Sequence, residues 1–292
     1  MKMKLKTDRT IKNIVVIAVV FIVMSVGVSS LYNAIARKMI NDEVLKMVEA
    51  DSGDMTKKFD RIIGEVDQIS RYLLIDMDVQ NYILTGKTTS VIGNLRTNME
   101  NKISAYRYVY DYIHSINICS DESVDKYFDG MNESTIAGEK PLWKEAYDNC
   151  IGSCLLTRKK DNAYPIIMTF IRKTTLQGKS GGIIINIDLN NLSEILGDGN
   201  SEYQKRYIID DEGNIVYKYK IRNFDEKIPE YISYSSENES YISNRDKYMY
   251  AVSVTHSEKS EYKCIVENQI DTTRISHVRN IRFCGKSCVS DI

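Results

Sequence analysis

The chain has 292 residues, 43% of them apolar and 27% charged, and a formal charge of −1. That balance excludes a disordered chain, leaves room for one large or two modest domains, and offers no basic field to draw in nucleic acid. The six cysteines, an even number, permit disulfides in an oxidising exterior.

Ile14 to Leu31 reads IVVIAVVFIVMSVGVSSL, without one charge. At about 1.5 Å per residue such a helix just crosses a bilayer core. Lys2, Lys4, Lys6, Arg9 and Lys12 precede it against Asp8 alone. The positive-inside rule therefore predicts a cytoplasmic N-terminus and an external bulk. Ala34-Ile35-Ala36 resembles a signal-peptide cleavage site. However, the apolar run exceeds the roughly 7 to 15 residues usual for a signal peptide and a helical pattern continues past that point, which favours an uncleaved anchor.

Beyond the anchor, Ile35, Met39, Val44, Val48, Phe59, Ile62, Val66, Ile69 and Leu73 follow three-and-four spacing, the mark of one face of a long stalk helix. Gly53 predicts a kink or register change within it. A second helix is expected from Thr88 to Ile113, on Val91, Leu95, Met99 and Ile103. HSINICSD then alternates like a strand, YFDG at Tyr127 to Gly130 reads as a turn, and PLWKEAY from Pro141 as a short helix. SCLLTRK, Ala163 to Thr175 and Gly181 to Leu189 form an antiparallel sheet core, followed by a brief helix NNLSEIL capped by Asp188 and Asn190 and closed by Gly197.

A smaller copy of this plan begins at Tyr203. It has a hairpin of YQKRYIIDD and IVYKY across Asp211 to Asn214, a helix IPEYISY, and two strands, DKYMYAVSVTH and EYKCIVEN, joined by Ser257 to Ser260. A last helical stretch runs from Ile270 to Phe283.

This order resembles the double Cache sensor region of YesM-type sensor histidine kinases and of membrane-anchored AraC-type regulators. The resemblance rests on Trp143, on IIMTFIRK through Arg172 and Lys173, on GGIIINIDLNNLSEIL, on YIIDDEGNIVY, and on the pair YMYAVSV and EYKCIVEN. It implies an α+β fold, a transmembrane helix and stalk helix followed by two PAS-like antiparallel-sheet modules. The implied divisions are a basic tail at 1–13, the transmembrane helix at 14–32, the stalk at 33–75, a membrane-distal module at 76–200, a membrane-proximal module at 201–268, and a returning helix with tail at 269–292. Relatives of this kind sense a small extracellular ligand in the distal module and signal through a second transmembrane helix. Here CGKSCVSDI follows instead, so a truncated or frame-shifted sensor without its kinase or DNA-binding output is expected.

Catalysis is not expected, because no phosphoacceptor segment or nucleotide-binding box is legible, and His114, His256 and His277 lie far apart. His114 is placed at a helix end. CIGSC at Cys150 and Cys154 and CGKSC at Cys284 and Cys288 lack zinc-knuckle spacing, so isolated thiols or a local bridge are expected, with no metal and no cofactor. Gly178, Gly181 and Gly182 precede a strand and read as a tight turn rather than a phosphate loop, and Asp210 to Asn214 reads as a hairpin turn rather than a calcium loop.

The candidate ligand residues are Trp143 and Tyr147, one helical turn apart, Tyr164 and Arg172 on one strand face, and Asn186. Arg172 would clamp a carboxylate. Each also has an ordinary structural reading, with Trp143 in the core, Arg172 a surface charge and Asp188 a helix cap. Lys140-Pro141-Leu142-Trp143-Lys144 only partly matches the arginine, tryptophan and tyrosine of amino-acid sensors, which leaves sugar, peptide or organic-acid ligands open. The expected partners are that ligand, the membrane and a second copy through the stalk, with no nucleic acid. The alternative reading is a membrane-tethered binding or adhesion domain without signalling output.

Overall fold

The structure, a computed structural model, describes residues 2–86, 95–120, 123–129, 147–157, 167–197, 203–218, 227–233, 237–245 and 248–270. The chain divides into two units, residues 1–47 and 48–292. Helix α1 is continuous over Lys2–Ile75. Within the first unit, every side chain from Asn13 to Leu31 is exposed along a segment long and apolar enough to cross a membrane. Gly53, expected to kink the helix, lies inside it without a break.

In the second unit α1 buries Val48, Phe59, Ile62, Val66, Ile69 and Leu73, as the spacing predicts, together with Met55, whereas Ile35 and Met39 of the predicted stripe are exposed. Two helices follow, the first not foreseen and the second the one expected from Thr88, of which residues 88–94 lie outside the described residues. In α2 (Met77–Thr85), Asp76 caps the start, its carboxylate accepting from the backbone N–H of Asp78 and Val79, and Gly86 at φ 60° closes the end. In α3 (Leu95–Val109) the helix stops short of the expected Ile113, which instead opens the first strand.

The first sheet contains β1 (Ile113–Ser120), β2 (Ser123–Asp129), β3 (Ser153–Thr157), β4 (Ile167–Leu176) and β5 (Lys179–Asp188). Its order is β2-β1-β5-β4-β3, antiparallel throughout. After the short helix α4 (Ser193–Leu196) come β6 (Gln204–Ile209), β7 (Ile215–Lys218), β8 (Glu239–Arg245), β9 (Tyr248–His256) and β10 (Lys263–Ile270). Their order, β7-β6-β10-β9-β8, repeats that of the first sheet strand for strand. This is the α+β architecture expected, with the second sheet copying the first.

Several local expectations are corrected. Tyr127 to Asp129 belong to strand β2 rather than a turn. Strand β8 was not foreseen, and its polar sequence ESYISNR shows why: it is an edge strand with little apolar contrast between its faces. Ile228 to Ser233 of the expected IPEYISY helix form a turn closed by the Ile232 N–H donating to the Pro229 carbonyl, and Tyr234 lies outside the described residues. Asp188 accepts from the Asn190 N–H in a local turn, while α4 has Leu192 at its N-cap and no side-chain cap. His114 lies in β1, not at a helix end. Of the glycine cluster only Gly178, at φ 81°, is in the turn; Gly181 and Gly182 are strand residues. The expected hairpin is present, with Asp210 accepting from the N–H groups of Glu212 and Asn214 and Gly213 at φ 77°. PLWKEAY before Tyr147 and the stretch beyond Ile270 lie outside the described residues.

Candidate functional site

Strand alternation gives the first sheet two faces. On one, Arg172 meets α1: its Nε donates to Ser70 Oγ at 2.7 Å and its Nη2 pairs with Asp67. Ile183, Ile185 and Phe170 share that parity through the register of β4 and β5. The opposite face carries Ser115, Asn117 and Cys119 of β1, Gly182, Ile184 and Asn186 of β5, Thr169 and Ile171 of β4, and Cys154 and Leu156 of β3. This second face faces away from the stalk, and on it the sequence places polar groups that no core needs.

One row across it is fully paired. Thr169 Oγ1 donates to Asn186 Oδ1 at 2.9 Å, and Asn186 Nδ2 donates to Ser115 Oγ at 2.7 Å, all three residues being buried. Asn117 stands in the next row beside Ile184. It is 0% exposed, yet among the described residues neither its amide nitrogen nor its amide oxygen has a hydrogen-bond partner. A buried, unmatched polar group of this kind costs about 1–3 kcal/mol, so it calls for a reason. An amide offers a donor and an acceptor together, which is the chemistry needed to fix a small polar molecule in an otherwise apolar pocket.

The end of this face is covered by a helical turn at 147–149. Tyr147 packs with Cys119, Cys150, Ile171 and Ile184, and Cys154 and Leu156 lean on the same cluster. The ring comes so close to the sheet that a Cβ on Gly182 would lie 3.1 Å from it and 2.5 Å from the Arg172 carbonyl. Lys173 holds the turn from the strand side, its amine 4.7 Å from the centre of the Tyr147 ring and donating to the Asp148 carbonyl at 3.0 Å. A disulfide joins Cys150 to Cys154, the local bridge that the spacing allowed. Burial pushes the Cys119 thiol well above its ordinary pKa, so it stays protonated.

Of the sequence-derived candidates, Tyr147 and Asn186 are therefore on one face. Arg172 is on the other, and its guanidinium holds the Asp67 carboxylate of α1 where a ligand carboxylate was expected. The cause is parity: residues an even number apart share a face, and the face carrying Arg172 is the one that α1 covers. Trp143 and Tyr164 lie outside the described residues. Ser115, Asn117 and Thr169 were missed. Their signal was present, as polar residues alternating with Ile116 and Ile118 in β1 and with Met168 and Phe170 in β4.

A separate concavity of about 530 Å³, open to solvent, lies between the two sheets. Ser153 to Leu155 at the start of β3, the acidic turn at Asp210 to Glu212 and the turn at Lys259 to Tyr262 line it. Among the described residues no cluster of His, Cys, Asp and Glu is arranged to hold a metal.

No family profile and no curated sequence matches the chain. Solved structures match it in fold. The ligand-binding domain of Campylobacter jejuni chemoreceptor Tlp3 in complex with L-valine aligns over 80% of this chain and 96% of its own, with TM-score 0.55 and 11% identity. The extracellular domain of soHK1S-Z6, a protein named as a histidine kinase, aligns over 83% and 99% with TM-score 0.57 and 11% identity. The ligand-binding domain of Pseudomonas fluorescens chemoreceptor CtaA with L-serine aligns over 80% and 98% with TM-score 0.52 and 12% identity. At such identities the likeness is one of fold.

Proposed function

We propose that this chain is the extracytoplasmic ligand-sensing region of a bacterial membrane signalling protein, of the double Cache type used by YesM-type sensor kinases and AraC-type regulators. Its N-terminus lies in the cytoplasm and its two sheet modules outside. The observation that carries the reading is Asn117, a buried amide with both atoms unmatched among the described residues, on the sheet face turned away from the stalk. The repeated strand order and the fold likeness to chemoreceptor and kinase sensory domains support it. The chain works by binding rather than catalysis.

The route outward from the site is short. In β4, Ile171 lines the ligand face and the next residue, Arg172, grips Asp67 of α1. A ligand that prefers one position of β4 would shift the population of α1 positions, the means by which such a receptor reports occupancy.

The test is a thermal-shift screen of the full chain in detergent micelles. L-valine and L-serine come first, being bound in the solved domains of like fold, followed by sugars, short peptides and organic acids. A ligand at a hundred times its dissociation constant adds about 2.7 kcal/mol and raises the melting temperature. A screen in which nothing raises it removes the proposal. Asn117→Leu supplies the residue-level check. Relieving a buried unmatched amide should leave the ligand-free melting temperature equal or higher, by up to about 1 kcal/mol of stability, while the ligand-induced rise disappears.

A further inference from the structure

The disulfide between Cys150 and Cys154 closes a loop with a sequence separation of 4. A bridge over so short a loop removes little freedom from the unfolded chain, so its effect is local. What it fastens is the helical turn carrying Tyr147, against the edge strand β3. Tyr147 in turn seals the end of the ligand face, above Gly182 and in one cluster with Cys119.

The two sulfurs differ in access. Cys150 is 5% exposed and belongs to the sealed cluster. Cys154 is partly exposed and lines the open cavity between the sheets. Ile151, between them, is 94% exposed, so the loop itself lies in solvent. A thiolate arriving through the cavity meets Cys154 first.

We propose that Cys150–Cys154 is a thiol-exchange site, at which a dithiol reductant releases Tyr147 from Gly182 and opens the ligand face at Cys119. One thiolate of the dithiol attacks Cys154 Sγ, the protein S–S bond breaks, and Cys150 leaves as a thiolate that takes a proton. The second thiolate of the dithiol then attacks the donor's own sulfur in the mixed disulfide and releases Cys154, also to be protonated. Two electrons pass to the protein, which gains two thiols, and the dithiol leaves as its cyclic disulfide. The opening stands on the geometry alone. Its consequence, weaker ligand binding in the reduced protein, rests on the function proposed above.

Cys119 reports the opening and Cys264 is the internal control, because both thiols are buried and free, one under the ligand face and one in the second sheet. The full chain in detergent is treated with dithiothreitol or left untreated, then exposed briefly to iodoacetamide, and labelling is read at each cysteine by peptide mass spectrometry. In untreated protein, Cys150 and Cys154 stay unlabelled and Cys119 and Cys264 label slowly. After treatment Cys150 and Cys154 label, and Cys119 labels roughly tenfold faster, as a new local opening dictates, with Cys264 unchanged.

Three results overturn the proposal: a bridge that resists dithiothreitol in the folded chain, a Cys119 that remains as slow as Cys264, or a rise at both that marks global unfolding. Cys150→Ser combined with Cys154→Ser should reproduce fast Cys119 labelling without reductant. Where the screen has found a ligand, reduction should shrink its thermal shift. An empty screen together with fast Cys119 labelling would sink the function but not the exchange site, while a reduction-insensitive shift with slow Cys119 labelling would do the reverse.

Discussion

Gly182 and Arg172 show how closely the two faces of the first sheet are tied at the scale of single residues. The carbonyl of Arg172 and the ring of Tyr147 both crowd the space where a Cβ on Gly182 would sit, at 2.5 and 3.1 Å. Backbone cannot retreat as a flexible side chain can, so Gly182→Ala should cost about 1–3 kcal/mol, read as a lower urea midpoint with an unchanged slope. Gly178 makes the contrast, since nothing stands within 4 Å of its missing Cβ and only its φ of 81° demands glycine. The sequence showed three neighbouring glycines and suggested one cause. The structure assigns two causes, turn geometry and close approach, and close approach depends on residues far away in the chain.

At the scale of elements, α2 was missed because it is short and its N-cap lies one residue beyond the long α1 helix. Asp76 nonetheless does definite work there. Burial favours its neutral form, yet the Lys102 amine at 2.6 Å and the N–H groups of Val79 and Asp78 outweigh that and hold its carboxyl below the ordinary value. The same pair raises Lys102 against the opposing effect of burial, with Asp78 as its second partner at 2.9 Å. Asp76→Ala should therefore cost about 0.5–2 kcal/mol near neutral pH.

The sign of the pH dependence follows. A lowered Asp76 contributes stability above its ordinary pKa and loses it as the pH falls through the lowered one, and a raised Lys102 contributes until the pH climbs past its ordinary value. The melting-temperature gap between wild type and Asp76→Ala should stay level from roughly pH 5 to 9 and close in more acidic solution. IPEYISY misled for a different reason. Ile228 and Ile232 are both buried at helical spacing, but Tyr231 between them is drawn to the buried Glu267 carboxylate at 2.9 Å and stacks on Tyr250, which a turn permits.

At the scale of the whole second unit, α1 crosses both sheets and is held differently by each. Against the second sheet, Ser52 Oγ lies 2.7 Å from Ser253 Oγ and 2.8 Å from Thr255 Oγ1, and Asp60 accepts from Ser257 and from the Glu258 N–H. Against the first, Glu65 accepts from Tyr112 at 2.6 Å and Asp67 pairs with Arg172. Two separate grips predict separable loosening. Asp67→Asn should speed hydrogen exchange at residues 62 to 73 and leave 48 to 56 unchanged, and a cycle with Arg172→Met should return a coupling of about 0.5–3 kcal/mol. What the sequence determined by itself was what short-range chemistry encodes: the membrane-length helix, the amphipathic stripe that follows it, the β-rich runs, the Asp210 hairpin, and hence the α+β class. Only the tertiary structure decided which parity of each strand α1 would cover, sending Arg172 to the stalk and Asn117 to the opposite face. It alone also brought β1 beside β5 and left the two edge strands outermost. Alternation has two equivalent faces until something packs against one of them, and the cost of closing a long loop barely changes with its length, so neither choice leaves a local mark.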